Sequence, residues 1–457
     1  MTGTDLVVVL PGILGSTLRH HGKLVWAPSG GSVLRAVATF GRSVTDLRLP
    51  DGIGDDHPGD GVEPDGLMPD LHVLPGLWTP VKGYDRLLDR LPTLGYHETA
   101  GPDAPAGNLL PVAYDWRLSI RYTGRWLATL VEPALERWRA QGGAYADARV
   151  VFVCHSMGGL VARWYVEKCG GAEITRKLIT LGTPYRGAVK ALVQLANGMP
   201  AALGPLADRF TGFAGSLPAL YHLLPEYACL DNGGDLLKTT ETILPGLDTG
   251  RVADAMRFHT ALRDAEAARP ASLAATHAIV GTRQPTASTA RLAGGRVEPL
   301  NTYRGGDWHG DSTVPLVGAA RADVGVDSNT LRRVPDKHGN LHRNRAALDE
   351  VEGILTAKPV VVRAPEVALW VDVPELVPAG QPLPIQVRLP DGERHGIRIT
   401  VTDESGRLLD ARTPAPIRGA VVTEFTDLPP GAHTIEVTGI RTGSPLAPIT
   451  ATTLIWP

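Results

Sequence analysis

The residue best placed to do chemistry is Ser156, in the stretch VVFVCHSMGGLVARWYV that begins at Val150. The pattern predicts a buried strand, a tight turn at the serine and a helix after it. A turn of this kind lifts the hydroxyl clear of a sheet, where a neighbouring general base can make it a nucleophile. The usual Gly-x-Ser-x-Gly pattern is relaxed, because Cys154 stands where its first glycine is expected. A serine before a helix is also a common N-cap, so the segment alone leaves both roles open.

Acid and base candidates follow the serine in the order Ser, acid, His. GGDWHGDSTVPL places Asp311 in a turn, with Asp307 as its competitor. DKHGNLHRN offers His338 and His342; His338, followed by Gly, is typical of a histidine on a loop that points back at a serine. Aspartate also favours turns for local reasons, so neither Asp is decisive alone.

A metal site is the alternative for the same segments, with His309, Asp311, His338 and His342 as ligands. No HExxH or paired-cysteine spacing supports such a site. We therefore expect chemistry without a metal or cofactor.

Acyl transfer also needs backbone amides aimed at the developing oxyanion. Met157, directly after the serine at a helix N-terminus, would supply one. LPGILGS follows an early strand, and the amide of Ile13 is the natural second donor. The alternative for LPGILGS is a Pro-Gly turn that only closes a core strand.

The elements that must position these residues alternate between strand and helix. Predicted strands are DLVVVLPG, NLLPVAYDW, ARVVFVCHS, ITRKLITLGTP and THAIVGT. Predicted helices are GYDRLLDRLPTLGY, TGRWLATLVEPALERWRAQGG, GGLVARWYVEKCGG and RNRAALDEVEGILTA. The strands are continuous apolar runs, as expected for strands buried on both faces. The pattern predicts an α/β domain with a mainly parallel sheet.

The length of 457 residues predicts about two or three domains. We expect the α/β domain over residues 1–358, with a helical cap insertion at about 186–272 and a lid or binding loop at about 25–78. Short alternating runs over residues 359–457 predict an antiparallel, Ig-like β-sandwich.

Composition excludes several classes of protein. The formal net charge of -3 predicts no attraction to nucleic acid or to an anionic membrane. No N-terminal stretch has the pattern of a signal peptide, and three cysteines without paired spacing predict a reduced, cytoplasmic protein.

In order along the chain, the motifs resemble the lecithin:cholesterol acyltransferase-like branch of the α/β-hydrolases. VVVLPGILGS is similar to its oxyanion loop, VAYDWRLS to its PYDWR signature and HSMGGLVARWY to its nucleophile region. LITLGTPYRGAVKAL and LPALYHLLPEY resemble the strand after the nucleophile and a cap segment. GDSTVPL is similar to the acid motif GDGTVP, and KHGNL to the histidine motif. The likeness covers about residues 6–355, outside the β-sandwich.

The resemblance implies an α/β-hydrolase fold with Ser156 as nucleophile, Asp311 as acid and His338 as base. It implies oxyanion-hole amides at Ile13 and Met157. Asp115 and Trp116 lie in the PYDWR-like signature, which in this family shapes and supports the site. Two departures stand out, Cys154 for the first glycine of the nucleophile turn and Ser312 for the glycine of the acid motif.

The activity implied is that of a serine esterase or lipase-type acyl hydrolase on lipid-like esters, with only transient contact to a membrane surface. O-acyl transfer to an alcohol acceptor is the alternative, since it uses the same residues. A third hypothesis is a degenerate hydrolase fold that serves as a scaffold, with the β-sandwich recruiting an unidentified partner.

Overall fold

The computed structural model describes residues 3–27, 44, 47–69, 80–99, 105–357, 367–390, 395–417, 419–441 and 444–457. In the α/β domain and cap, the strands are β1 (Leu6–Leu10), β2 (Ser16–His20), β3 (Lys23–Trp26), β4 (Val62–Leu67), β5 (Leu109–Pro111), β6 (Val150–His155), β7 (Thr175–Leu181), β8 (Leu230–Asp231), β9 (Leu236–Leu237), β10 (Ala275–Gly281), β11 (Thr289–Ala293), β12 (Arg296–Leu300), β13 (Thr302–Tyr303), β14 (Gly306–Asp307) and β15 (Arg332–Val334). The helices are α1 (Asp85–Arg90), α2 (Ile120–Arg139), α3 (Met157–Lys168), α4 (Val189–Asn197), α5 (Leu206–Ser216), α6 (Pro218–Tyr221), α7 (Thr249–Ala268), α8 (Leu316–Ala319) and α9 (Arg345–Thr356). The C-terminal strands are β16 (Trp370–Asp372), β17 (Leu376–Pro378), β18 (Leu383–Arg388), β19 (Ile397–Thr402), β20 (Leu408–Arg412), β21 (Ala420–Phe425), β22 (Gly431–Gly439) and β23 (Ile449–Trp456).

The central sheet has six strands in the order β15-β10-β7-β6-β1-β5, and every neighbouring pair is parallel. All residues of β1 and β6 are buried. Successive side chains of a strand point to opposite faces. Val8, Phe152 and Cys154 therefore belong to one core cluster, while Val7 and Val153 belong to another. The parallel sheet predicted from the continuous apolar runs is confirmed.

Helices cover both faces of this sheet. α2 and α3 bury Leu127 and Leu160 on one face. α1 and α9 bury Leu87 and Val351 on the other. This arrangement of helix, parallel sheet and helix confirms the predicted fold class.

The region predicted as a cap, at about 186–272, contains helices α4 to α7 and the short strands β8 and β9. β8 and β9 join β11 and β12 in a four-stranded sheet of order β12-β11-β8-β9. This small sheet was not expected from the Ala- and Leu-rich composition, because its two-residue strands carry no periodic signal.

About half of the lid loop expected at about 25–78 lies outside the described residues. Its described part contains β4, which pairs antiparallel with β2, so the expectation of irregular chain is wrong there. VEPDGL has little strand propensity of its own. Tertiary contacts hold it: Val62 is buried, and Asp65 accepts from Arg19 Nε across the pair at 2.7 Å.

The C-terminal strands form two sheets, of order β16-β18-β21 and β17-β23-β22-β19-β20. Ile385 and Val421 of the first sheet share one buried cluster with Ile399 and Ile435 of the second, which makes the unit a β-sandwich. All pairings are antiparallel except that of β17 with β23, which is parallel and corrects the expectation of a wholly antiparallel unit.

Across the described ranges, no helix combines the length and apolarity that a bilayer crossing requires. The described His, Cys, Asp and Glu side chains include no group of three or more that could hold a metal ion.

Candidate active site

Ser156 alone connects β6 to α3, and its backbone is strained. Its φ of 53° and ψ of -126° lie outside the regions that a serine ordinarily adopts. Its N–H donates to Leu181 O at 2.9 Å, and its C=O accepts from Thr183 Oγ1 at 2.8 Å. Strain of about 1–3 kcal/mol persists only where the surroundings impose it, as these bonds do here.

The Ser156 side chain does not cap the helix, since it makes no hydrogen bond to an amide of α3. Its Oγ lies 2.8 Å from His338 Nε2 instead. The choice between helix cap and nucleophile, which the sequence left open, is therefore decided against the cap.

Cys154 needs no glycine in its place. It lies inside β6, fully buried in the core, and it is not among the positive-φ residues. Burial raises the pKa of its thiol well above the usual value, so the thiol stays protonated and unreactive. The turn needs glycine after the serine: a Cβ at Gly158 would lie 2.4 Å from Pro11 O, and one at Gly159 2.1 Å from Thr183 Oγ1.

His338 and Asp311 lie in line behind the serine. His338 Nδ1 is 2.7 Å from Asp311 Oδ2, and the His338 N–H donates to Asp311 O at 2.8 Å. Asp311 Oδ1 accepts from the amides of Thr313 and Val314, at 3.0 and 2.7 Å. A carboxylate can only accept, so Nδ1 carries a proton and, in the neutral ring, Nε2 accepts from the Ser156 hydroxyl.

Ser312 takes a conformation that favours glycine, with φ of 72°. Its N–H donates to Thr286 Oγ1 at 2.8 Å, and its own Oγ bonds to Asp311 O. These two hydrogen bonds hold the acid turn in place despite the departure from the family's glycine.

The competing residues lie elsewhere. Asp307 is exposed and accepts from the His309 N–H at 2.9 Å, a local turn contact. His342 is buried, with Nε2 2.9 Å from Lys82 O and 3.1 Å from Gly83 O. The structure thus brings together Ser156, His338 and Asp311 and leaves their alternatives out.

The loop after β1 lies directly against the serine. A Cβ at Gly12 would be 2.9 Å from Ser156 Cβ, so only glycine allows this approach. Ile13 follows it and is buried. Among the described residues, neither the Ile13 nor the Met157 amide has a hydrogen-bond partner, as donors reserved for an oxyanion would require.

The YDWR segment, residues 114–117, holds this loop by hydrogen bonds at both of its ends. Tyr114 Oη donates to Pro11 O at 2.8 Å, and Trp116 Nε1 donates to Ser16 O at 3.2 Å. In the described part of the chain, Asp115 makes its hydrogen bonds to Arg117 and none to the loop; the fully buried Arg117 Nη2 is 2.7 Å from Asp115 Oδ2. Trp116 thus fixes the loop, and Asp115 neutralises the arginine that anchors the segment.

Arg117 also ties the segment to more distant chain. Its Nη1 donates to Leu47 O at 2.9 Å and pairs with Asp60 at 2.9 Å. Burial would lower the pKa of this guanidinium, but its two carboxylate partners outweigh burial and raise the pKa. The segment is therefore held in place by a permanently charged, fully paired group.

Two buried residues that the motifs did not single out connect the loop after β1 to His338. Tyr84 Oη accepts from the Gly12 N–H at 2.9 Å and lies 2.9 Å from His155 Nδ1. His155 Nε2 is 3.0 Å from His338 O. A carbonyl can only accept, so His155 carries its proton on Nε2, and Tyr84 donates to Nδ1.

Burial raises the pKa of Tyr84, so its hydroxyl stays neutral in this chain of hydrogen bonds. His155 is adjacent to the serine in sequence, and a signal for it therefore existed. Tyr84 is 72 residues from Gly12, and no local pattern indicates their contact.

The parallel sheet, the strand-turn-helix that carries Ser156 and the order Ser, Asp, His define an α/β-hydrolase fold. Residues 75–245 match the family model of lecithin:cholesterol acyltransferase, which includes the nucleophile turn and the YDWR segment. This match covers less than half of the chain, and it makes that part of the α/β domain similar to the lecithin:cholesterol acyltransferase family.

One curated relative is YJR098C of Saccharomyces cerevisiae, a protein described as uncharacterized. It is 30% identical over 184 residues, which span 39% of this chain and 23% of the yeast protein. The chain therefore matches only about a quarter of that relative's length.

Among solved structures, the chain is similar to lipase BlEst2 of Bacillus licheniformis. The mature form covers 77% of this chain and 91% of its own, with 13% identity and a TM-score of 0.35. The propeptide form covers 99% of this chain and 93% of its own, with 12% identity and a TM-score of 0.36. At these TM-scores the fold assignment depends on the strand order and not on the likeness.

Proposed function

We propose that the protein is a serine acyl hydrolase that acts on lipid-like esters through an acyl-serine intermediate. The observation that carries this proposal is the line of contacts from Ser156 Oγ to His338 Nε2, 2.8 Å, and from His338 Nδ1 to Asp311 Oδ2, 2.7 Å. The match to the lecithin:cholesterol acyltransferase model supports a lipid ester as the substrate class.

In this mechanism His338 Nε2 takes the hydroxyl proton as Ser156 Oγ attacks the ester carbonyl. Asp311 holds the Nδ1–H tautomer and stabilises the imidazolium that forms. The protonated His338 then gives its proton to the departing alkoxide, which leaves an acyl-serine. Water, deprotonated by the same histidine, releases the acid and restores the serine.

The amides of Ile13 and Met157 would donate to the oxyanion of each tetrahedral intermediate. One such donor is typically worth about 3–4 kcal/mol in the transition state. Gly12 and Gly158 allow the two amide-bearing segments to approach one another, since a Cβ at either position would overlap its neighbours.

Acyl transfer to an alcohol is the second candidate, and the family model itself favours it. Hydrolysis and transfer share all residues named above. They differ in whether an acceptor alcohol displaces water at the acyl-serine. We prefer hydrolysis because water needs no dedicated binding site.

The scaffold hypothesis has less support. A scaffold has no use for a proton-transfer line, whereas Ser156, His338 and Asp311 keep contacts in the order that proton transfer requires. Ser156, His338 and Asp311 are each at most 1% exposed.

A fluorophosphonate probe tests the proposal. We expect the wild-type chain to be labelled on Ser156, as located by peptide mass spectrometry, and Ser156→Ala to remain unlabelled. Ser405→Ala is the matched control, because Ser405 lies in the β-sandwich and bonds only locally, to Asp403. Absence of wild-type labelling, under conditions where a known serine esterase reacts, would contradict the proposal and favour the scaffold.

Hydrolysis and transfer are separated by product analysis. The unlabelled wild-type chain is incubated with phospholipid and neutral-lipid esters of varied acyl length, with and without a long-chain alcohol. Free fatty acid as the main product in both conditions supports hydrolysis. A new ester of the added alcohol as the main product assigns the chain to acyl transfer.

A further inference from the structure

The β-sandwich contacts the two loops that carry the acid and the base. Gln284, which is fully buried, makes the first contact. Its Nε2 donates to Leu369 O at 2.9 Å, and its Oε1 accepts from the Val371 N–H at 3.3 Å. The side-chain amide thus continues the hydrogen bonding of β16 into the α/β domain.

The backbone of Gln284 holds the acid loop. Its N–H donates to Gly310 O at 3.0 Å, and the Gly310 N–H donates back to Gln284 O at 3.2 Å. Gly310 directly precedes Asp311. One residue therefore joins the sandwich to the acid loop through its side chain and its main chain.

Asn340 makes the second contact, two residues after His338. Its Nδ2 donates to Thr450 O of β23 at 2.7 Å. Asn340 lies in the short 3₁₀ helix His338–Arg343, so the sandwich holds the same rigid turn that carries the histidine.

Beside these contacts the two domains are separated by a cavity of about 320 Å³. Acid-loop residues Ser312 and Thr313 line it on one side, and sandwich residues Asp372 and Thr450 line it on the other. The acid loop lacks packing on the side that faces the cavity, so its position depends more strongly on the few hydrogen bonds that it makes. Lys190 and Glu375, paired at 2.7 Å, make a further bond across the same cavity.

We infer that the β-sandwich is a positioning domain of the active site. Through Gln284 and Asn340 it fixes the positions of Asp311 and His338 relative to each other. Its binding partner is then the α/β domain itself. The expected loss of catalysis rests on the proposed function. The hydrogen bond between His338 and Asp311, which the inference says the sandwich maintains, can be measured without any turnover. Neither Gln284 nor Asn340 touches the reacting atoms; both act through the loops.

The test uses the full-length chain with Gln284→Met and Asn340→Ala. Met keeps the length of Gln284 and removes both hydrogen bonds to the sandwich. Gln381→Met and Asn329→Ala are the matched controls, since both residues are exposed and no described group bonds to their side chains. The readouts are kcat and KM on a short-chain p-nitrophenyl ester, and the downfield proton NMR signal of the Nδ1–H that His338 donates to Asp311.

We expect kcat to fall roughly 10- to 100-fold in each interface variant with KM changed by less than about 3-fold, because small misplacements of catalytic groups have effects of this size. The downfield signal should broaden or vanish in both variants and persist in both controls. Unchanged kcat and an unchanged signal would overturn the inference, as would a rise in kcat, which would mean that the sandwich obstructs the site.

If Gln284→Met does not fold, the Asn340→Ala variant alone tests the inference. Asn340 is only partly buried, so its substitution should leave the fold intact. Should the wild-type chain hydrolyse no ester and take no label, the proposed function fails. The NMR comparison of variants and controls then still supports or overturns the positioning role.

Discussion

Tyr84→Phe tests whether the oxyanion loop is held by a hydrogen-bond chain or by packing alone. The substitution removes one oxygen and keeps the ring, which packs against His342 with centroids 4.5 Å apart. It removes the acceptor of the Gly12 N–H and the hydroxyl that donates to His155 Nδ1. Acid chemistry by the phenol is not at issue, because burial keeps it protonated.

The magnitude follows from the buried Gly12 N–H, which loses its acceptor. An unsatisfied buried donor costs about 1–3 kcal/mol, so the free energy of unfolding should fall by at least about 1–3 kcal/mol. The catalytic effect comes through Ile13, the neighbour of Gly12. Complete loss of one oxyanion donor lowers kcat by about 10²–10³-fold, and a misaligned donor should lower it by roughly 10- to 100-fold.

The assay measures kcat and KM on a soluble ester and the free energy of unfolding in urea, for Tyr84→Phe beside Tyr145→Phe. Tyr145 is a suitable control, because its ring packs against Trp138 with centroids 4.4 Å apart and its hydroxyl bonds to no described group. We expect kcat to fall in Tyr84→Phe alone, with KM little changed. A variant that loses stability as calculated but keeps wild-type kcat would refute the proposed role of this chain in catalysis.

Three further predictions concern the turn and the base. Cys154→Gly should keep kcat within about 2-fold, since Cys154 lies in ordinary strand conformation. Its free energy of unfolding in urea should fall by about 2–3 kcal/mol, because core packing is lost and backbone freedom is added. A large loss of kcat would show that the thiol does more than fill the core. Gly158→Ala should slow fluorophosphonate labelling at least about 10-fold, because its Cβ would meet Pro11 O at 2.4 Å and push the oxyanion loop away; an unchanged labelling rate would contradict this. Burial raises the pKa of Asp336 to about 6, from about 3.9 in the unfolded chain. The folded state thus binds the proton more tightly, and the free energy of unfolding should fall by up to about 3 kcal/mol as pH rises from about 4 to 6. Asp336→Asn should lack this fall. An identical pH dependence in that variant would disprove the assignment of the fall to Asp336.

The two departures from the family pattern have different structural meanings. Cys154 occupies a strand position where a side chain packs into the core, so the absence of glycine there has no conformational cost. Ser312 occupies a left-handed conformation and depends on the Thr286 hydroxyl to hold its N–H. The sequence alone made the first departure look more serious, whereas the backbone shows that the second carries the strain.

Local patterns predicted the parallel sheet and its covering helices, because continuous apolar runs and helical periodicity reflect burial that each segment undergoes in any compact arrangement. They did not predict β4, β8 or β9, whose short polar sequences become strands only through their partners.

The sequence by itself determined which chemical groups are present and their order, with Ser156 after a buried strand and Asp311 and His338 after it. The segment around Ser156 taken alone left nucleophile and helix cap open, and the preference for His338 over His342 rested on the glycine after it and on the family resemblance, because the deciding distances join residues far apart in the chain. The tertiary structure places His338 Nε2 2.8 Å from Ser156 Oγ across 182 positions of sequence, whereas His342 Nε2 lies against Lys82 O and Gly83 O. It alone revealed that Tyr84, Gln284 and Asn340 connect the oxyanion loop, the acid, the base and the β-sandwich. Such hydrogen bonds leave no periodic trace, because each depends on the packing of whole elements.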